Sequence, residues 1–144
     1  MIVICCTRTP KPDMPTAVSF EELLKCSDFL TLHAPLTPQT TNIINKETLS
    51  LMKPTAYLIN TARGGFIVEK DLAACLNAGG IAGFAADVLL QEPMAKDNPL
   101  LGAKNCVITP HIAWAPYETR KRLQGIAEEN LKAWLNAKPI NVVS

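Results

Sequence analysis

Short apolar runs alternate with polar, helix-patterned stretches along this chain. Ile2-Val3-Ile4-Cys5-Cys6 is continuously apolar, the pattern of a strand buried on both faces. Residues 7–15 hold three prolines and read as a loop. Ser19 and Glu22 match a capping box, with Ser19 as N-cap, and predict a helix running to about Cys26. Phe29-Leu30-Thr31-Leu32 is a second strand, broken at His33-Ala34-Pro35. Asn45 caps a short helix that ends before Pro54. A third strand covers residues 56–59 and is followed by the pair Gly64-Gly65. Residues 69–78 read as a helix with leucine and alanine on one face, stopped by Gly79-Gly80. Residues 81–88 and 106–108 are two further strands. Pro116 suits the first position of a long closing helix that runs to about Asn136. Leu123, Ile126, Ala127, Leu131 and Leu135 recur in it at helical spacing.

Strands and helices that alternate in this way, with fully apolar strands, imply an α/β fold: a parallel sheet covered by helices on both faces. In such sheets the ligand crevice lies outside the C-terminal ends of the strands. The segments that follow the strands are Thr7-Arg8, His33-Ala34-Pro35, Asn60-Thr61-Ala62-Arg63, Asp87 and Thr109-Pro110-His111. They hold most of the unusual polar residues of the chain, which is where chemistry is expected.

Composition narrows the function classes. The 144 residues suffice for one domain with a core, and 48% hydrophobic with 19% charged residues is ordinary for a globular protein. A net charge of +1 gives no basic face for nucleic acid. The longest apolar run, residues 1–6, is far too short to cross a bilayer. The five cysteines are odd in number and form no CxxC pair, and His33 and His111 are the only imidazoles. No metal site is expected. Four of the cysteines fall in apolar segments that read as core, and reduced thiols in a cytoplasmic protein are the expectation.

Four side chains invite chemistry. Arg63 follows a strand and precedes two glycines that let the backbone turn sharply. Its guanidinium either grips a planar carboxylate through two parallel hydrogen bonds or is a surface or structural arginine. His111 follows the last strand and is either a proton donor near neutral pH or a structural histidine. Glu92 is either a carboxylate that orients His111 and favours its charged form, or a solvated loop residue before Pro93. Asp87 ends an apolar strand and either caps local amides or accepts a bond from the amide group of a ligand.

Taken in order, several segments resemble the D-2-hydroxyacid dehydrogenase family. They are Ser27-Asp28 through Leu32-His33-Ala34-Pro35-Leu36-Thr37; Leu58-Ile59-Asn60-Thr61-Ala62-Arg63-Gly64-Gly65; Ala86-Asp87-Val88 with Glu92-Pro93; Asn98-Pro99-Leu100-Leu101; and Thr109-Pro110-His111. The stretch His111-Ile112-Ala113-Trp114-Ala115-Pro116 looks most like the glycerate dehydrogenase and hydroxypyruvate reductase branch. The resemblance implies a partial Rossmann-like doubly wound sheet that transfers hydride between NAD or NADP and a small 2-keto or 2-hydroxy acid. It implies that Arg63 binds the substrate carboxylate, that His111 is the acid and base, and that Glu92 keeps His111 protonated. It gives Asp87 the nicotinamide carboxamide. Thr61, Ala62, His33, Ala34 and Pro35 line the nicotinamide ribose, and Thr7, Arg8, Arg63, His111 and Ala113 complete the coenzyme contacts.

The chain departs from the family pattern twice. It carries no G-x-G-x-x-G turn, the element that normally binds the pyrophosphate. It therefore reads as the C-terminal portion of a nucleotide-binding domain, and by itself it should bind coenzyme poorly and turn over little. The segment from about residue 116 to 144 is expected to pack towards a substrate domain. Homo-oligomerisation, or assembly with a complementing N-terminal part, is expected; membrane and nucleic-acid partners are not. The second departure lies at Cys6-Thr7-Arg8, where NAD-specific members carry an acidic residue. Arg8 there either meets the 2′-phosphate of NADP, which favours NADP, or faces solvent. Non-catalytic relatives of the same family, corepressors that sense NAD(H), leave an interaction module as the alternative function, and a remnant of a broken gene as the third.

Overall fold

Four short parallel strands form one sheet in the order β1-β2-β3-β4: Phe29–Leu32, Tyr57–Asn60, Gly83–Ala86 and Cys106–Ile108. The computed structural model describes residues 1–9 and 16–143 of the chain. The expected loop over residues 7–15 lies partly outside these. The described residues divide into two units, Met1–Pro110 and His111–Ser144.

In the first unit, helix α1 (Phe20–Cys26) precedes β1, while α2 (Lys46–Leu49) lies between β1 and β2 and α3 (Glu69–Asn77) between β2 and β3. Ser19 caps α1, its side chain accepting from the Glu22 amide at 3.1 Å. Asn45 caps α2 in a reciprocal box with Thr48, which the sequence reading had not paired with it. Gly79 has a φ of 71° and ends α3, where a side chain would strain the turn.

Strand pairing sets the lengths. β3 covers Gly83–Ala86 rather than the expected residues 81–88, because β2 offers four residues to pair and β4 only three. β2 likewise runs one residue beyond the expected stretch and ends on Asn60.

One face of the sheet carries Leu30, Leu32, Leu58, Asn60, Phe84 and Ala86, all buried. Around it Leu24, Ile44, Leu49, Phe66, Leu72, Leu76 and Ile81 complete the core. The opposite face carries Phe29, Tyr57 and Val107, all exposed, with the Phe29 and Tyr57 rings stacked at 5.5 Å. The expectation of helices on both faces is thus corrected for this unit. Strands laid down in one direction, with right-handed crossovers, send every connecting helix to the same face; covering both requires a reversal of direction.

The first apolar run is also corrected. Residues 2–6 form no strand: Cys5 makes a single parallel bridge to Ala17, and Ile2 and Val3 are exposed. An isolated bridge leaves most of its ladder groups without sheet partners among the described residues, and only Ile4 and Cys5 of the run are half-buried. The cysteines are core only in part: Cys75 and Cys106 pack against the core cluster. Cys6 and Cys26 are exposed, and Cys5, Cys75 and Cys106 are half-buried; all five are free thiols. Burial pushes the Cys75 and Cys106 thiols up from the ordinary range, which lowers their thiolate fraction. Iodoacetamide at pH 8 is therefore expected to alkylate Cys6 and Cys26 well before Cys75 and Cys106. Peptide mapping over time reads the order, and equal rates at the four sites would contradict it.

The second unit is built on helix α4 (Tyr117–Leu135). Pro116 is its N-cap, with a ψ of 140°, and not its first helical residue as expected. The stripe of Leu123, Ile126, Leu131 and Leu135 is present, and all four side chains are exposed. No described helix is long and apolar enough to cross a membrane.

Candidate functional site

The four strands end in register. Leu32 pairs with Asn60, Asn60 with Ala86, and Ala86 with Ile108. The residues that follow, His33, Thr61, Asp87 and Thr109, therefore stand along one edge of the sheet. Adjacent parallel strands lie about 4.8 Å apart, so this row is about 14 Å long. It is the edge at which parallel sheets hold their ligands.

Asn60 builds the Arg63 turn. Its side chain is fully buried. Its Oδ1 accepts from the Ala62 amide at 3.1 Å, and its Nδ2 donates to the Arg63 carbonyl at 2.9 Å. One buried amide thus closes both sides of the turn and leaves the Arg63 side chain exposed, with Nη1 donating to the Ala62 carbonyl at 2.7 Å. Asn60 belongs to a strand-end segment where chemistry is expected, but its part in closing the turn is not predicted by the pattern. Its signal was a polar side chain ending an otherwise apolar strand.

The two glycines after Arg63 admit neighbours. A Cβ on Gly64 would overlap the Leu89 carbonyl and the Leu90 nitrogen, and one on Gly65 would come within 2.8 Å of the Leu36 side chain. The Arg63 turn is therefore packed against the loop that leads to Glu92 on one side and against the residue after Pro35 on the other. His33, Ala34 and Pro35 are exposed at the end of β1. The His33 ring is held by Thr31 through Nε2 and Oγ1 at 2.9 Å, and the Pro35 carbonyl accepts from Thr40 Oγ1 at 2.9 Å.

Asp87 is 5% exposed and sits between two strand ends. Its amide donates to the Asn60 carbonyl at 3.0 Å, and its Oδ1 accepts a short bond from the Thr109 hydroxyl. Glu92 accepts from the Leu89 amide through Oε1 at 2.9 Å, which fixes its side chain to the start of its own loop.

The structure thus brings Arg63, Asp87, the Glu92 loop, Thr61, Ala62 and the His33 segment to one edge. Thr7 and Arg8, both exposed, follow the Cys5–Ala17 bridge and not a strand of this sheet. His111 opens the second unit, with Ala113 two residues on. Its φ of 54° lies in the left-handed region, which costs a residue with a Cβ about 1 kcal/mol or more. Its carbonyl accepts from Trp114 Nε1 at 2.8 Å. Nothing in the residue pattern announced that backbone conformation.

The chemistry of this edge suits the nicotinamide end of a dinucleotide. A buried carboxylate can accept from a carboxamide, and an exposed guanidinium at the same sheet edge can hold an anionic substrate. This sequence holds no G-x-G-x-x-G turn, the element that would take the phosphate end. Among the described residues no group of three or more His, Cys, Asp or Glu side chains is placed to hold a metal ion.

The chain is 52% identical over 127 residues to a hydroxypyruvate reductase of Blautia hydrogenotrophica, a match covering 88% of this chain and 39% of that protein. The chain thus spans about two fifths of the length of that curated relative. Among solved structures, an NADPH-dependent glyoxylate/hydroxypyruvate reductase from Sinorhizobium meliloti, in complex with NADP and malonate, is 31% identical with a TM-score of 0.77. That match covers 94% of this chain and 44% of the other. The NAD-complexed D-isomer specific 2-hydroxyacid dehydrogenase of Lactobacillus delbrueckii is 28% identical with a TM-score of 0.81, over 96% of this chain and 46% of the other. Residues 1–113 match the family model for the NAD binding domain of D-isomer specific 2-hydroxyacid dehydrogenases, and the chain belongs to that family.

Proposed function

We propose that this chain is the catalytic part of a coenzyme domain that reduces a small 2-keto acid, hydroxypyruvate or glyoxylate, to the D-2-hydroxy acid. The single observation that carries the reading is the registered strand edge, where Arg63, Asp87 and the Glu92 loop stand together. The nicotinamide, when bound, supplies the hydride.

Arg63 holds the substrate carboxylate with two parallel N–H bonds and polarises the neighbouring ketone. Negative charge grows on the carbonyl oxygen as the C–H bond forms at C2, and His111 donates its proton to that oxygen. In reverse His111 takes the proton back. Glu92 orients the imidazole. Asp87 accepts from the carboxamide, Thr61, Ala62, His33, Ala34 and Pro35 line the ribose, and Ala113 follows His111 at the same end of the coenzyme. The apolar stripe of α4 packs towards the substrate domain, and the working protein is a cytoplasmic homo-oligomer.

Thr7 and Arg8 face the adenosine ribose in this reading. The position that would carry a carboxylate for the ribose hydroxyls reads Cys6-Thr7-Arg8, so Arg8 meets the 2′-phosphate and NADPH is the preferred reductant. The test is a chimera in which this chain replaces the matching region of the Blautia hydroxypyruvate reductase. It is expected to reduce hydroxypyruvate or glyoxylate, and Arg8→Ala is expected to raise the KM for NADPH about tenfold while leaving NADH unchanged. A folded chimera with no turnover would remove the function. Unchanged NADPH kinetics in Arg8→Ala would remove the phosphate contact.

A further inference from the structure

We propose that Glu69 is a positioning residue, which holds the Glu92 loop against the Arg63 turn. The inference rests on the roles given above to Arg63 and Glu92. Glu69 is the first residue of α3 and is half-buried. Its Oε1 accepts from the Leu90 amide at 2.9 Å, and its Oε2 accepts from Asn98 Nδ2 at 2.8 Å. Leu90 and Asn98 lie on either side of Glu92 in the chain. One carboxylate therefore ties down both arms of the loop that carries Glu92.

The anchor is short. Only Ile67 and Val68 separate α3 from the turn Gly64–Phe66, which follows Arg63 directly. The loop also meets that turn from the other side, where Gly64 leaves room for Leu89 and Leu90. Arg63 and Glu92 are thus fixed relative to each other twice, once through the glycine contact and once through Glu69.

The chemistry explains why the residue is a glutamate. Both partners are N–H donors, so only a side chain that accepts on both oxygens satisfies them. Asn98 cannot turn its amide round to help, because it is buried and its Oδ1 already accepts from the Leu100 amide at 2.9 Å. The carboxylate also sits in the first turn of α3, where negative charge is favoured.

The test uses two substitutions. Glu69→Gln keeps one acceptor but turns an NH2 group towards a second donor. In this chain its expected effect is amide exchange at Leu90 faster by about tenfold or more, the loss of one charge-assisted bond. In the chimera its expected effect is a kcat lower by about tenfold, with the KM for the keto acid within about twofold, because Glu92 is displaced while Arg63 still binds. Adding Asn98→Asp reverses one donor–acceptor pair and gives every group a partner again. The double variant is expected to recover both the exchange rate and kcat. A role in stability alone would lower the melting temperature without this split and without the recovery. Unchanged exchange in Glu69→Gln, unchanged kcat despite faster exchange, or a double variant no better than the single would each overturn the proposal. A chimera silent with every residue intact would remove the proposed function instead, and the exchange measurement on this chain would still decide the tether.

Discussion

Alanine at Gly64 is expected to destabilise the protein by about 3 kcal/mol or more, the upper end for forcing atoms into a packed site. The new methyl would overlap backbone, the Leu89 carbonyl and the Leu90 nitrogen, which cannot swing aside as a side chain can. The loop would have to retreat, and with it the bonds from Leu90 to Glu69 and from Leu89 to Glu92. Domains are stable by only about 5–15 kcal/mol, so a large part of the total is at stake. Gly65→Ala is the internal control. There the methyl meets only the end of the Leu36 side chain, at 2.8 Å, and a rotamer change relieves it at about 1 kcal/mol or less. Urea unfolding of the two variants reads the difference. A loss at Gly64 no greater than that at Gly65 would mean that the Arg63 turn and the Glu92 loop are not in close contact.

His111→Gln is expected to lower kcat of the chimera by about 10²–10⁴, the span usually assigned to a positioned acid. Glutamine keeps hydrogen-bonding capacity but has no proton to give at neutral pH. Arg63→Ala should behave differently. It removes a paired ionic contact made with the substrate before and during reaction, so KM rises and kcat also falls. The combined loss in kcat/KM is expected to be about tenfold to a hundredfold. The split between the two variants is the informative part. If both raise KM alone, neither group acts on the developing alkoxide.

Much of this could be read from the residues because the fold obeys local rules. β1 and β4 run over the stretches that their apolar runs marked, and Asn45 and Ser19 cap the helices they precede. Arg63 and Asp87 stand out in the sequence because each is a charge at the C-terminal end of a strand. Other features needed three dimensions. The run at residues 2–6 has the composition of a buried strand, but composition does not say whether a neighbouring strand is there to pair with it. Pro116 fits the cap as well as the first helical turn, and only its ψ separates the two. The hydrogen-bonding tasks of Asn60, Glu69 and Asn98 are not legible in the sequence, because their partners are main-chain groups or side chains far along the chain. Glu69 and Asn98, for instance, lie 29 residues apart. No spacing rule reaches that far. The open sheet face was also invisible, since it follows from the order of the strands and not from any one of them.

A coenzyme labelled with deuterium at the transferable position of its reduced nicotinamide follows the central event directly. The chimera and hydroxypyruvate should yield D-glycerate with the label on C2, and the same reaction with His111→Gln should yield almost none in the same time. Unlabelled or L-configured product, or label transferred as fast by the variant, would contradict the assignment of this strand edge as the place where hydride and proton meet the keto acid.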